Sequence, residues 1–447
     1  MNNPNVAKNE SSLPRTIIQW VLFGVVIVRI LLTLLPSHKV DMGGYNYWSH
    51  YLSERGFQGF YESLHVVYAP FYMYLLLISG KIASFFAVSD LAHEFLIKSW
   101  AVLFDFIGGY LIYLIGKKNG KPRLGFWVGI FYILNPAIFI NSSIWGQFDS
   151  LLATILFATI YCFSINKSVL AVVFYTIAIL TKPQSIFLFP LVFYLFFFQD
   201  LQWKKALPFF GEKYSKQEFK KYFNKKYWIK VLMGTIAVLL TYVLIILPFF
   251  KPSPNSNGNP FLIVVDLFLW VPRLYFKYVN DYPYATANGF NLWTILWGQT
   301  TPDNEPFFGL TYAIWSKILL VGLWIYTVWA LVKIKKNHFS LYYISYLLGF
   351  GFFMFCGRMH ERYLVPALIF LVVCVLWDSS LWLPAIVLSI SIMVNQSYMY
   401  ELAKKDFYWL PKNDNLALFI ASISLIILGY SFYYMFKYIQ RKRNEIQ

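Results

Sequence analysis

Twelve runs of mostly apolar residues divide the chain, over 15–36, 93–116, 124–142, 148–165, 168–182, 185–199, 229–250, 307–332, 339–356, 363–378, 380–396 and 416–437. A helix needs roughly 20 such residues to cross a bilayer. Several runs are short, but the pattern predicts an all-α polytopic membrane protein of about 12 transmembrane helices. The runs 168–182 and 185–199 are parted by Thr181-Lys182-Pro183-Gln184, where the proline interrupts a helix. A further run, Tyr68 to Val88, begins with Pro70 and carries Lys81 and many aromatic residues. Counted as a span, it would put Lys117, Lys118, Lys121 and Arg123 outside, against the positive-inside rule. It is therefore assigned as a juxtamembrane helix in the outer interface. Both termini are then cytoplasmic, and the run 15–36 acts as a signal anchor, since no small-residue cleavage site follows it. The expected organisation is an N-terminal transmembrane module over 1–250 with a first outer loop at 37–92, a second long outer loop at 251–306, and C-terminal transmembrane helices over 307–447.

Composition strengthens the membrane assignment. Hydrophobic residues make up 58% of the chain and charged residues 13%, against roughly 25% charged in soluble domains. The net charge of +17 does not imply a nucleic-acid partner, because the basic residues gather in short loops between apolar runs. The densest stretch, Lys204 to Lys230, is expected to face anionic lipid headgroups on the cytoplasmic side. The abundant aromatic residues suit membrane interfaces and sugar- or lipid-binding clefts. Cys162, Cys356 and Cys374 lie in apolar runs and form neither a disulfide framework nor a metal-ligand spacing.

Four polar clusters fall at the outer ends of spans on this topology. They are Asp41, the pair Gln147 and Asp149 within Trp145-Gly-Gln-Phe-Asp149, the pair Lys182 and Gln184, and Gly357-Arg358-Met-His360-Glu361-Arg362. Each has an ordinary structural explanation. Asp149 can favour a helix N-terminus and Lys182 can snorkel to headgroups. Arg358 and Arg362, four apart, would share a helix face and pair with Glu361. Independent structural needs would not gather acids, cations and amides on one membrane face. One carboxylate beside several cations at a lipid interface suits glycosyl transfer from a lipid-linked phosphosugar: the acid takes the acceptor proton while cations stabilise the leaving phosphate. Gly43 and Gly44 would let the backbone turn beside Asp41, with Tyr45, Tyr47 and Trp48 forming an aromatic wall for a sugar face.

At these residues the chain resembles the GT-C superfamily of polyprenyl-phosphate-sugar-dependent glycosyltransferases. It is similar to bacterial proteins like GPI mannosyltransferase II and, more distantly, to dolichyl-phosphate-glucose glucosyltransferases. The resemblance rests on Asp41-Met-Gly-Gly-Tyr45-Asn-Tyr-Trp48, on Tyr68-Ala69-Pro70, on Trp145-Gly-Gln-Phe-Asp149 with Thr181-Lys-Pro-Gln184, and on His360-Glu361-Arg362-Tyr363-Leu364. It implies a GT-C-like bundle with outer juxtamembrane helices and Asp41 as the general base of an inverting transfer. Gln147, Asp149, Lys182, His360 and Arg362 would line the donor-phosphate and sugar region; Gln184 and Arg358 complete the expected donor- and substrate-binding set. Many relatives have Tyr-Pro-Pro where this chain has Ala69 in the middle. The lone Asp41, in place of an Asp-x-Asp pair, gives no support for a divalent metal, and no cofactor is expected. The implied partners are a polyprenyl-phosphate sugar donor, a glycan, polymer or protein acceptor, and the lipid bilayer. The implied location is the plasma membrane, with the active site on the extracytoplasmic face. Two rivals stand beside this expectation: a transporter or flippase of lipid-linked sugars, which would hold phosphate with the same cations, and a non-catalytic membrane scaffold.

Overall fold

The computed structural model describes residues 12–198, 223–256, 258–334 and 337–444. Part of the basic stretch Lys204 to Lys230 lies outside the described residues; Lys225, Lys226 and Lys230 open the helix Lys225–Ile246. Apart from one two-stranded hairpin, Pro306–Phe307 against Leu310–Thr311, the described elements are helical. The protein is an all-α multi-pass membrane protein.

Seven described helices are long and apolar enough to cross a membrane: Arg15–Thr33, Asp90–Lys118, Lys225–Phe249, Tyr312–Lys333, His338–Phe355, Ser379–Ala403 and Asn415–Lys442. The number rises to eight if Pro122–Ile133 and Pro136–Trp145, bent by 43°, make one span. Twelve spans are not supported. The difference lies in the short runs, which fold as Phe71–Phe86, Asp149–Ser164, Ser168–Ile179, Pro183–Phe198 and Val365–Cys374. At a rise of about 1.5 Å per residue, a helix of 10–16 residues reaches about 15–24 Å, short of the ~30 Å hydrocarbon core. Two of them, Asp149–Ser164 and Val365–Cys374, are enclosed by protein almost throughout. They pack with His338–Phe355 to form the centre of the bundle. The Tyr68–Val88 run also yields one of these short helices, Phe71–Phe86.

Small residues let two consecutive helices cross closely. Asp90–Lys118 lies against Pro122–Ile133 through Gly109 and Gly116 on one side and Gly125 and Gly129 on the other. A Cβ at Gly116 would come 2.5 Å from the Gly125 Cα, so backbone meets backbone as in membrane small-xxx-small contacts. Two cations inside the bundle are bonded, although Asp105 Oδ1 has no hydrogen-bond partner among the described residues. Arg29, 1% exposed, binds Asp105 Oδ2 at 2.6 Å and donates to Ser142, Ser143 and the Ile133 carbonyl. The Lys98 ammonium donates to the carbonyls of Leu35 (2.6 Å) and Thr33 (3.1 Å), placing a cation on the C-terminal end of the first helix, where the macrodipole favours one.

Candidate functional site

The site begins with a reversal at Gly146. Residues Ile140–Trp145 form a π-helical turn, and Gly146 ends it at φ +86°. A side chain there would be strained, and its Cβ would sit 2.4 Å from the Met42 Cε. The reversal leaves Trp145 on one side and Gln147, Phe148 and Asp149 on the other. Asp149 then lies in the first turn of Asp149–Ser164, where the helix dipole favours an acid.

The helix Lys39–Arg55 starts beside this turn. The His38 backbone N–H donates to the Trp145 carbonyl at 3.1 Å, and the His38 ring stacks on the Trp145 indole at 4.5 Å. His38 caps the helix, its Nδ1 accepting the Asp41 backbone N–H at 3.4 Å. The Asp41 carboxylate accepts the Trp145 indole N–H at 2.6 Å through Oδ2. Burial raises the Asp41 carboxyl, yet Arg362, His38 and the Trp145 indole together hold it below the usual carboxylate range. Gln147 adds to that lowering, although its Nε2 makes no hydrogen bond of ordinary geometry. Gly43 and Gly44 do not turn the backbone: both are helical, because the helix runs unbroken through them. Tyr45 and Trp48 follow Asp41 at helical spacing along the cavity, whereas Tyr47 points outward and is 59% exposed.

A cavity of about 330 Å³ opens above these residues. Its walls include Asp41, Tyr45, Trp48, Tyr68, His360 and Arg362. The segment 279–303 supplies Tyr282, and the loop after Ser379–Ala403 supplies Tyr408 and Trp409. Asn288 ties those two segments together: its Nδ2 donates to the Tyr408 carbonyl at 2.8 Å and its Oδ1 accepts from Leu410 N at 3.1 Å. Cations and acids around the cavity are paired with one another. Arg362 Nη1 donates to Glu361, and Arg362 Nε stands 3.6 Å from Asp149 Oδ2 with no hydrogen-bond partner. Burial, with Arg362 beside it, pushes His360 down to about 3, so its ring is neutral near pH 7. Burial likewise lowers His38 against the upward pull of Asp41.

The expected residues thus fall into three places. Asp41, His360 and Arg362 line the cavity. Gln147, Asp149 and Lys182 lie behind it, each at most 1% exposed. There Lys182 Nζ binds Asp149 Oδ1 at 2.6 Å and Gln147 Oε1 at 3.3 Å, with its ammonium 4.0 Å from the Phe148 ring centre. Gln184 and Arg358 stand apart from the cavity walls. Gln184 is buried with its Oε1 unpartnered. Arg358 binds Asp303 at 2.7 Å. Arg358 and Arg362 share no helix face, because 357–364 is an irregular segment in which Arg358 takes φ +63°. Sequence reasoning overlooked His38, Tyr68 and Trp409 as walls and Trp145 as the hydrogen-bond partner of Asp41. The Trp145-to-Asp149 and Tyr68-Ala69-Pro70 motifs carried the signal for Trp145 and Tyr68; His38 and Trp409 had none.

A family model described as PIG-U, the GPI transamidase subunit PIG-U, matches residues 49–263, just under half of the chain. The matched stretch contains Gln147, Asp149, Lys182 and Gln184 and ends before His360. No curated protein matches the sequence. The chain is similar to a transamidase subunit, and this overturns the expected GT-C glycosyltransferase identity and hexosyl transfer from a polyprenyl-phosphate donor. The transporter alternative falls with it. So do the expected donor and acceptor partners, since a PIG-U protein works with the other GPI transamidase subunits on GPI and proprotein substrates.

Proposed function

We propose that the protein is a non-catalytic membrane subunit of a GPI-transamidase-type assembly, and that its cavity holds the glycan head of a glycosylphosphatidylinositol while another chain carries out the bond exchange. One observation carries this reading. The cavity has room and an aromatic lining for a sugar, while its acid Asp41 is bonded to the Trp145 indole and its cation Arg362 to Glu361. Such a site orients a ligand without offering a free base or nucleophile. The family match points the same way. The membrane that goes with this reading is that of the endoplasmic reticulum, in place of the plasma membrane. The cavity is proposed to face away from the cytoplasm, because Lys117 and Lys118 close the far end of the helix whose N-terminal half carries Lys98 to the Asp41 side.

The test uses the full chain in lipid nanodiscs with radiolabelled glycosylphosphatidylinositol. Saturable binding with no conversion of the lipid is expected, and Gly44→Trp, which fills the cavity, abolishes it. Turnover by the isolated chain, or the absence of saturable binding, would overturn the proposal.

A further inference from the structure

An exposed aromatic ring occupies a strained two-residue turn just before one of the membrane-spanning helices. Pro306–Phe307 pairs antiparallel with Leu310–Thr311, which leaves Phe308 and Gly309 as the loop. Both take left-handed backbone, at φ +45° and +80°. Such loops ordinarily carry Asn-Gly, because Asn tolerates this conformation and a bulky ring does not. Phe308 is nevertheless 84% exposed, so contacts within the protein do not offset the strain. Trp297 repeats the combination, at φ +56° and 63% exposed.

The bonds around the turn fix its height. The hairpin runs directly into Tyr312–Lys333, which is long and apolar enough to cross a membrane. Trp315, one turn into that helix, donates its indole N–H to the Phe307 carbonyl at 2.9 Å. The Phe307 ring stacks on Tyr312 at 4.8 Å. The tip is thus held beside the first turn of the helix and does not stand free above it. The Tyr312 hydroxyl donates to the Leu296 carbonyl at 3.1 Å, which brings Trp297 to the same end. From there Ile314, Ile318, Val321, Ile325 and Val328 are exposed at alternating spacings of four and three, one apolar stripe along the helix. Lys317, exposed near the start of that stripe, is long enough to snorkel to lipid headgroups.

We propose that Phe308 and Trp297 insert into the lipid interface on the cavity side of the bilayer and anchor there the segment that precedes Tyr312–Lys333. The exposed stripe of that helix leads out of the bilayer core to the turn, so the lipid that covers the stripe also covers the rings. Aromatic side chains favour this level of a membrane, and taking an exposed ring out of water offsets the backbone strain. The anchor reaches the cavity wall through short bonds. Ala313 N donates to the Asp303 carbonyl, and Asp303 N to the Pro283 carbonyl, both at 2.8 Å. Pro283 follows Tyr282, which lines the cavity. The two rings therefore set how far the cavity mouth stands from the lipid, whatever the cavity holds.

Cys162, Cys356 and Cys374 are buried, so Phe308→Cys and Trp297→Cys each offer one accessible thiol for a fluorescent label in the folded full chain. The labelled proteins are placed in phosphatidylcholine nanodiscs. They are quenched in turn by lipid carrying a nitroxide high on its acyl chain and by aqueous iodide. Each label is expected to lose most of its fluorescence to the nitroxide lipid and little to iodide. Quenching by iodide alone would put the rings in water and overturn the anchor. Protection from both quenchers would mean that protein covers them, and would overturn it as well. Lipid quenching at position 308 alone would overturn the role of Trp297. More than one label per chain marks an unfolded variant. In that case hydroxyl-radical oxidation of the unmodified chain in nanodiscs decides: Trp297 must be oxidised less than Trp409, which is only 43% exposed, and the reverse order would overturn the proposal.

Discussion

Replacing Lys182 with Met tests whether the paired charges behind the cavity hold it in shape. Lys182 is fully buried and is the only described group bonded to Asp149 Oδ1, at 2.6 Å. The other oxygen keeps Asn141 Nδ2 at 3.2 Å and Arg362 Nε at 3.6 Å. Lys182→Met therefore leaves a buried carboxylate with one oxygen bare, and breaking a buried pair in this way costs about 3–5 kcal/mol. The nearest relief is for Arg362 to swing inward, which draws it off Glu361 and out of the cavity wall. Replacing both partners, Lys182→Met with Asp149→Leu, removes the orphaned charge and should recover most of the loss. Cys162, Cys356 and Cys374 are all buried, so a thiol-reactive dye reports unfolding on heating. Scaled from about 2–4 °C per kcal/mol in smaller domains, the single variant should melt about 5–10 °C lower. Heating a membrane protein is often irreversible, so the rank order of the three proteins carries the result. A single variant that melts with the unmodified protein, or a double variant no better than the single, would refute the argument.

Arg29→Met should destabilise to a similar degree, about 3–5 kcal/mol, because Asp105 is fully buried and loses its cation; adding Asp105→Leu should restore the midpoint in the same dye assay. Gly146→Ala forces a side chain into left-handed backbone and toward Met42, and should cost about 1–2 kcal/mol from backbone handedness alone; a midpoint equal to that of the unmodified protein would contradict the assigned turn. Burial holds His360 neutral down to about pH 3, whereas unfolded it titrates near 6.5. Between those values the unfolded chain binds more protons, so acidification from pH 6.5 weakens the fold by about 1.4 kcal/mol per pH unit from this group. His360→Asn should flatten the decline of the melting midpoint between pH 7.5 and 5, and an unchanged slope would exclude this assignment.

The sequence by itself determined the membrane class and where the polar groups fall along the chain. Apolar runs of sufficient length and the scarcity of charge allow no soluble fold, and Pro183 marks a helix break that the structure keeps. It did not determine how many runs cross the membrane. Asp149–Ser164 and Val365–Cys374 are as apolar as many spans, and hydropathy does not distinguish a helix buried in protein from one buried in lipid. Nor did it determine function, because the motif around Trp145 and Asp149 fixes residue types without their bonding. Tertiary structure decided that Lys182 pairs with Asp149, that Arg358 turns away to Asp303, and that Asp41 is held by the Trp145 indole. Those contacts join residues 33 to 104 positions apart in the chain. Spacing along one element governs which residues share a face. Whether a buried charge is paired or free depends on what the other elements bring to it, and only the packed bundle sets that.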